Sequence, residues 1–507
     1  MWRGRFLFGL TGAVMHRKAL GTMTDAPLKL FNSLTRQLDE FQPIHAGEAR
    51  VYTCGPTVYN YQHIGNMRAY IFADTLGRTL SHKGYKLSHV INITDVGHLT
   101  SDADAGDDKM EKAAAQQGKS AWDIARYYQE VFEADLDRLN VRKPAHPRAT
   151  DYVESMIAWG QKMEEKHCYL LDSGLYFDVS TVPDYGKLAR AVTDDGEGRI
   201  DEVQGKRNAA DFAIWRKTPE GETRQMEWDS PWGRGAPGWH LECSVMSAEL
   251  LGHPFDIHTG GIDHREIHHP NEIAQNQAHN CSSDSAASIW MHNNFLIDRR
   301  GKMSKSAGEF LVLQTLVDRG FHPLCYRVMC LQAHYRSELE FTWEGLEAAL
   351  TRLKRMVMAV ERLNENETSK GQHQRLPPVE EFQHPKLAPA IAKFNEAMSD
   401  DLNTAIALTA LEDVLAAKKV DAAMKRAVVE YMDGVLGLDL FGLTREALRI
   451  RPQSAEIAEA EIEDALSRRK AARAEKDFAA SDAIRDELAA KGVEVMDGDP
   501  LGWEWKL

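Results

Sequence analysis

Cysteine is scarce in this chain. Its six thiols (Cys54, Cys168, Cys243, Cys281, Cys325 and Cys330) are scattered over 507 residues, which excludes a small secreted scaffold held by disulfides and fits reduced thiols in a cytosol. Long apolar runs are missing too: no window approaches the ~18 consecutive apolar residues of a membrane-spanning helix, so no membrane association is expected. Positive charge is in deficit, with 61 Lys and Arg against 76 Asp and Glu and a formal net charge of -15. That balance excludes nucleic-acid binding through bulk positive charge, although a local basic surface can still hold a phosphate backbone. Neither an internal repeat nor a CxxC pair is visible. Acidic residues are missing before Asp25, while Arg3, Arg5, Arg17 and Lys18 punctuate apolar stretches. An organellar presequence has this pattern, and so has a start assigned too far upstream, since Met15 and Met23 offer alternatives. A cytoplasmic location is expected, with an organelle as the alternative if residues 1–26 are a true presequence.

The chain as a whole, 43% hydrophobic and 27% charged, has the length and composition of a soluble multidomain enzyme with a large catalytic core. Its opening reads as strand (Ala49 to Cys54), Gly55-Pro56 break, helix (about Asn66 to Lys83) and strand (Lys86 to Ile93). Such a βαβ unit implies a parallel sheet whose ligand sits beyond the carboxyl ends of its strands, where Cys54 and Thr94 fall. A turn-rich, Trp-rich stretch at about 121–235 reads as an insertion. A strand resumes at Pro254 to His258, Gly260-Gly261 turn it, and Asn271 to His279 reads as a helix. After Trp343 the pattern is helical, interrupted by Leu376-Pro377-Pro378, and Ala455 to Lys491 reads as a charged helical hairpin. The expected class is α/β: a Rossmann-like doubly wound parallel sheet over 27–342 with its insertion, an all-helical domain over 343–450, and a tail over 451–507.

Three groups of residues carry chemistry. In Pro56-Thr57-Val58-Tyr59-Asn60-Tyr61-Gln62-His63-Ile64-Gly65-Asn66, a His and a close-approach Gly stand where a strand gives way to a helix N-terminus. Backbone N–H groups and the helix dipole favour a nucleotide phosphate there, and the imidazole can bond oxygens whose charge grows during displacement. A helix cap or a buried, hydrogen-bonded His63 would look the same. Far downstream, Lys302-Met303-Ser304-Lys305-Ser306 sets two lysines around a hydroxyl turn, able to clamp departing pyrophosphate; a solvated cluster beside Arg299 and Arg300 is the alternative. The third group is Cys54, Cys243, His268 and Glu272. Thiolate, imidazole and carboxylate are all zinc ligands, and His268 and Glu272 stand at i and i+4 around a helix start at Pro270. Ordinary buried cysteines are the alternative. The acidic run Asp102, Asp104, Asp107 and Asp108 lacks the spacing of a calcium loop and reads as solvated.

The first two groups together resemble the HIGH and KMSKS signatures of class I aminoacyl-tRNA synthetases, with Asn66 in place of the last histidine of the first. Cys54-Gly55-Pro56-Thr57-Val58-Tyr59, Gly238-Trp239-His240-Leu241-Glu242-Cys243 and His268-His269-Pro270-Asn271-Glu272 resemble the zinc-ligand blocks of cysteinyl-tRNA synthetases, in order along the chain, with Pro270 where the family has Glu. The resemblance implies zinc on Cys54, Cys243, His268 and Glu272, with His269 ranked behind them, and phosphate handling by His63, Gly65, Asn66, Lys302 and Lys305. It implies a cysteine pocket of Cys54, Thr94, Trp239 and His258, and an adenosine turn of Gly260, Gly261 and Asp263, with Thr259 replacing a common glycine. ATP with Mg2+, L-cysteine and tRNA(Cys) are the implied partners, acting on a monomer. Phe394-Asn395-Glu396-Ala397-Met398 and Asp400-Asp401-Leu402-Asn403-Thr404 resemble the family's helical domain, and Ile462 to Leu507 its anticodon-recognition tail. There Arg468, Arg469, Lys470, Arg473 and Lys476 offer a basic stripe, and Trp503 and Trp505 either stack on bases or pack. Relatives that pass cysteine to an amino-sugar lack this helical C-terminus, and a non-catalytic relative would have lost the lysines or zinc ligands.

Overall fold

The strand Glu48–Thr53 is the pivot of the sheet. Its Ala49, Val51 and Tyr52 are fully buried, a continuous run that suits a parallel strand covered on both faces. It pairs in parallel with Lys86–Ile91 on one side and with Phe255–Gly261 on the other, and Phe255–Gly261 pairs in parallel with Ala287–Asn293. The isolated bridges Val90 to Ala145 and Ile93 to Arg148 extend the far edge. The sheet is therefore doubly wound, as expected: strand order reverses between Glu48–Thr53 and Phe255–Gly261. The carboxyl ends of those two strands open the crevice in which such sheets bind ligands.

The computed structural model describes residues 26–96, 109–189, 205–298, 301–302, 311–368 and 384–507, with backbone alone for 109, 301, 302 and 365–368. The N-terminal extension up to residue 25, the acidic run at Asp102, Asp104, Asp107 and Asp108, the Leu376-Pro377-Pro378 link, Arg299, Arg300, Lys305 and the side chain of Lys302 lie outside the described residues.

From Thr53 the chain turns through Gly55 into the helix Ile64–His82. A Cβ at Gly55 would overlap the Asn92 carbonyl, and the Gly55 amide donates to Asn92 Oδ1 at 2.7 Å, so glycine lets the turn close on the neighbouring strand. The helix starts at Ile64, earlier than expected, because His63 caps it: Nδ1 accepts from the Asn66 amide at 3.2 Å. The later helix spans His268–Asn280 and also starts early, taking in His268; Pro270 lies in its first turn, where a missing N–H costs nothing. Gly260 and Gly261 do not turn the strand. They are its last two residues, paired with His292 and Asn293, and the turn follows at 262–267.

Between the two halves of the sheet, Cys168–Leu171, Gly174–Phe177, Phe212–Lys217 and Gly235–Pro237 form an antiparallel sheet. The Trp-rich composition of this stretch is its core: Trp215 and Trp232 are buried, with rings 6.1 Å apart. Helices Ala121–Arg138 and Val153–His167 precede it. Beyond the catalytic sheet come helices Trp343–Thr368, Ala388–Ser399, Thr404–Ala416 and Ala422–Leu436, whose apolar residues are continuous with the main core. Among the described residues no helix is long and apolar enough to cross a membrane.

The charged hairpin is present as Glu459–Ala474 and Phe478–Ala490, followed by paired strands Val493–Val495 and Trp503–Trp505. It has a small core of its own, including Ile462, Leu488 and Val493. Trp503 and Trp505 belong to that core, edge to face at 5.0 Å, so of the two roles weighed for these indoles the structure displays packing. The Arg449 guanidinium covers Trp503 at 3.8 Å. Arg469 is buried on Asp497 and Arg473, though exposed, pairs with the same carboxylate; Arg468, Lys470 and Lys476 are also exposed, Arg468 paired with Asp464.

Candidate active site

A cavity of about 550 Å³ opens at the strand-order reversal. One wall is the segment from Cys54 to the helix N-terminus, with His63, Gly65 and Asn66; the opposite wall is the turn through Gly261 and Asp263. Thr94, Trp239, Cys243 and His268 complete the floor. Ten sequence-derived site residues thus share one space. Gly65 is needed there, since a Cβ would lie 2.9 Å from the His63 ring. Asn66 donates through Nδ2 to Gln62 Oε1 at 2.7 Å, so its amide stiffens the rim.

Three site residues are off the wall. Gly260 faces inward, where a Cβ would lie 2.7 Å from His264 Nδ1 and 2.8 Å from the His269 ring, so packed imidazoles require the glycine. Glu272 is buried below the floor. His258, expected in the cysteine pocket, sits behind Glu272 instead: its Nε2 is 2.8 Å from Glu272 Oε2, and its ring stacks on Trp290 at 4.5 Å. A histidine in the middle of a central strand points into a covered face, and this one steadies a carboxylate. Of the signature lysines, only the Lys302 backbone is described, paired with Ile297. Leu311 accepts from the Ile64 amide at 2.9 Å and Val312 bridges to His63, so the chain re-enters the described structure beside the cap residue.

At the base of the cavity, Cys54, Cys243 and His268 from its lining and Glu272 beneath them bring one ligand atom each to within 4.8 Å of the others, all four residues buried. Each comes from a definite element. Cys54 follows the central strand, Cys243 lies in the first turn of the helix Leu241–Leu251, and His268 and Glu272 share one face of the helix His268–Asn280. His268 turns Nε2 to Glu272 Oε1 at 3.1 Å and Nδ1 to His240 Nδ1 at 2.8 Å, so its ring is fixed from both sides. Burial opposes ionising either thiol. The hydrogen bond from Cys243 and the surrounding imidazoles nevertheless hold Cys54 well below the ordinary thiol range, while burial and the neighbouring Cys54 drive Cys243 well above it. Burial would also lower His268, but the charges of Cys54 and Glu272 lift it to about 10. Two thiols, an imidazole and a carboxylate in this grouping are residue types that could hold a metal ion, and all four are among the ligand types zinc takes. Cys54 and Glu272 also belong to a second, overlapping group with His258 and His269, where His269 Nε2 is 3.2 Å from Cys54 Sγ.

Sequence reasoning passed over Glu242. It is buried, accepts from Thr94 Oγ1 at 2.7 Å, and burial pushes its carboxyl up to about 8 against that hydrogen bond. Its signal was adjacency, since it directly precedes Cys243. Asn92 and Tyr70 also line the cavity without a motif to mark them.

A nucleotide-sized crevice at the switch point, a histidine-capped helix on one rim and a helical C-terminal region fit a class I aminoacyl-tRNA synthetase, the class that the family model over residues 40–351 shows. Solved structures share the fold: the ternary complex of the Agrobacterium radiobacter K84 agnB2 LeuRS with tRNA and LeuAMS has a TM-score of 0.55 at 13% identity, covering 90% of this chain and 95% of that one. Methionyl-tRNA synthetase of Mycobacterium tuberculosis bound by methionyl-adenylate has a TM-score of 0.51 at 15% identity, covering 80% and 96%. The family model "tRNA synthetases class I (C) catalytic domain" matches residues 40–351, and "Cysteinyl-tRNA ligase anticodon binding domain" matches residues 458–500. The cysteine-tRNA ligase of Novosphingobium aromaticivorans is 69% identical over 489 residues, 95% of this chain and 97% of the relative. That of Zymomonas mobilis is 52% identical over 506 residues, 95% and 98%, and that of Thermococcus gammatolerans 38% over 492 residues, 94% and 99%. The chain belongs to the cysteine-tRNA ligase family of class I synthetases.

Proposed function

We propose that this ligase works in two steps in one cavity. The carboxylate of L-cysteine attacks the α-phosphorus of ATP in line, releasing pyrophosphate and forming cysteinyl-adenylate; a ribose hydroxyl of the terminal adenosine of tRNA(Cys) then takes the cysteinyl group and releases AMP. No protein nucleophile is needed, because proximity and stabilisation of developing charge account for both displacements. His63 and Asn66 face the phosphates at the helix N-terminus, where Gly65 permits close approach. Gly261 and Asp263 receive the adenosine, with Asp263 accepting ribose hydroxyls. Lys302 and Lys305 hold the leaving pyrophosphate, and Mg2+ accompanies ATP as part of the substrate.

Cys54, Cys243, His268 and Glu272 would hold one zinc ion, with His258 and His240 orienting Glu272 and His268 from behind. When bound, zinc supplies a soft Lewis acid for the substrate thiol, which the hydroxyl of serine does not match. Trp239 gives the side-chain pocket an apolar wall, packed on His268 at 4.5 Å, and Thr94 closes the far side through Glu242. Discrimination by a distinctive polar group reaches ~10⁴ without editing. The tail carries the anticodon contact, with Lys470 and Lys476 among its exposed cations.

The observation that carries this reading is the convergence of four buried zinc-type ligands under a nucleotide-sized cavity. It is tested by pyrophosphate exchange with each of the standard amino acids, without RNA, on protein assayed for metal. Cysteine-dependent exchange with about one zinc per chain is expected; exchange driven equally by serine sinks the selectivity mechanism.

A further inference from the structure

The cavity rim carries an aromatic corner that neither chemical step uses. Tyr61 adjoins Gln62 and His63, which line the cavity, yet its own ring is 39% exposed. Opposite it, on the insertion helix Ala121–Arg138, Tyr127 is 40% exposed. The two phenol oxygens are 3.0 Å apart and the rings meet edge to face at 6.4 Å. Both rest on the buried ring of Tyr128, 5.2 Å from Tyr61 and 5.1 Å from Tyr127. The Lys119 ammonium stands 5.1 Å from the Tyr127 ring centre. Aromatic surface packed on a buried third ring, beside a cation and adjoining the cavity-lining Gln62, marks a contact surface rather than scattered exposure.

We infer that this corner is the platform on which the unpaired 3′ end of the RNA substrate stacks as its terminal adenosine enters the cavity. The inference rests on the reading that RNA is the acceptor. Unpaired bases stack on open aromatic faces largely irrespective of sequence, and a neighbouring lysine suits the backbone phosphate. A closed duplex keeps its base faces stacked on each other, so the single-stranded end is the part of the RNA that fits. Ring packing of Tyr61 and Tyr127 on Tyr128 joins the signature loop to the insertion and survives loss of the hydroxyl pair.

The test is a cycle between protein and RNA. Wild type, Tyr127→Ala, Tyr127→Leu and Tyr127→Phe are titrated with complete tRNA(Cys) transcript and with one lacking its last two nucleotides, and cysteine-dependent pyrophosphate exchange is measured without RNA. Wild type and Tyr127→Phe should prefer the complete transcript. Tyr127→Ala should bind it about fivefold to a hundredfold more weakly, the range for losing one stacked base, and should no longer distinguish it from the shortened RNA. Exchange should be unchanged in all variants. Tyr127→Leu keeps the apolar bulk over Tyr128 and should follow Ala. If the Ala or Leu variant keeps exchange and still favours the complete transcript as wild type does, the platform is wrong. If wild type shows no exchange with cysteine, the ligase reading fails, whereas the stacking cycle is scored separately on binding.

Discussion

The two halves of the helix Ile64–His82 border buried charge for opposite reasons. At its N-terminal end lies the cavity and, beneath it, a cluster of Cys54, Cys243, His268 and Glu272 whose ligand atoms face one another. Further along, Asp74 and Arg78 meet Arg327 from the helix Pro323–Leu331: Asp74 accepts from Arg327 Nη2 at 2.6 Å and from Arg78 Nε at 2.7 Å. Arg327 also donates to the carbonyls of Leu436 and Leu139, binding the catalytic sheet to the helical domain. Burial would raise Asp74, but Arg327 and Arg78 hold its carboxyl below the usual range. Every strong donor there is spent on a partner within the protein. Around the cavity, by contrast, one oxygen of Glu242 and nitrogens of His258 and His264 are buried without hydrogen bonds, and soft ligands converge. Saturated charge holds a joint together; convergent, undersupplied charge awaits a ligand.

The sharpest way to break this division is at the joint. Arg327→Met leaves Asp74 buried with too few donors, a change that costs about 3–5 kcal/mol when one partner of a buried pair is removed. Urea unfolding should show that loss, with zinc content of the folded protein unaltered; loss of metal at an unchanged unfolding midpoint would reverse the assignment. The converse variant is Cys243→Ser. It should abolish stoichiometric zinc and cut cysteine-dependent exchange by more than about a hundredfold, beyond what supporting residues alone contribute, while moving the unfolding midpoint less than Arg327→Met. Retained zinc and unchanged cysteine selectivity in Cys243→Ser would remove the basis for the metal.

What the sequence disclosed follows the same line. The βαβ opening and the switch-point location were legible because each lies in a local pattern, an apolar strand before Gly55 and a helix after it, whereas the four ligand positions came from the family resemblance, with only the i, i+4 spacing of His268 and Glu272 to mark them locally. The joint was not legible. Asp74 and Arg327 are distant in sequence, and nothing local separates a buried Arg from an exposed one until the helices pack. The resemblance put His258 in the pocket as an orienting partner, and the structure shows what it orients: packed on Trp290, it holds Glu272 from behind. Of the two early helix starts, that at Ile64 comes from the His63 cap, a reading the sequence offered beside a buried histidine, while the helix His268–Asn280 starts after Ile267 with no side-chain cap to mark it. In the tail, the sequence left Trp503 and Trp505 open between stacking on bases and packing, and only the hairpin's core shows both rings turned inward.

A supporting residue gives an intermediate test. His258→Gln keeps the volume but weakens the donor to Glu272, and should lower zinc affinity about tenfold, measured by competition with a chelator, with modest change in unfolding. Affinity equal to wild type would mean that Glu272 is steadied by other groups.

The smallest expected effect lies where the carboxylate of an ion pair stands half in solvent. Asp497 takes a bidentate contact from Arg469, at 2.6 and 2.8 Å, and a third bond from Arg473 at 2.8 Å. The hydrogen bond from Arg469, then the charges of both guanidinium groups, outweigh slight burial and hold the Asp497 carboxyl down to about 2, from an ordinary 3.8. The folded value is the depressed one, so its stabilisation is present in full above the ordinary value and is lost as pH falls from about 4 through about 2. The Asp497 side chain is 53% exposed, so water and salt screen the pairs and Asp497→Asn should cost no more than about 1 kcal/mol near neutral pH. The difference between Asp497→Asn and wild type in thermal unfolding should shrink with added salt and between pH 4 and 3. A cost matching that of Arg327→Met would mean that surface pairing and buried saturation stabilise this chain equally, and the division between its clusters would then rest on ligand convergence alone.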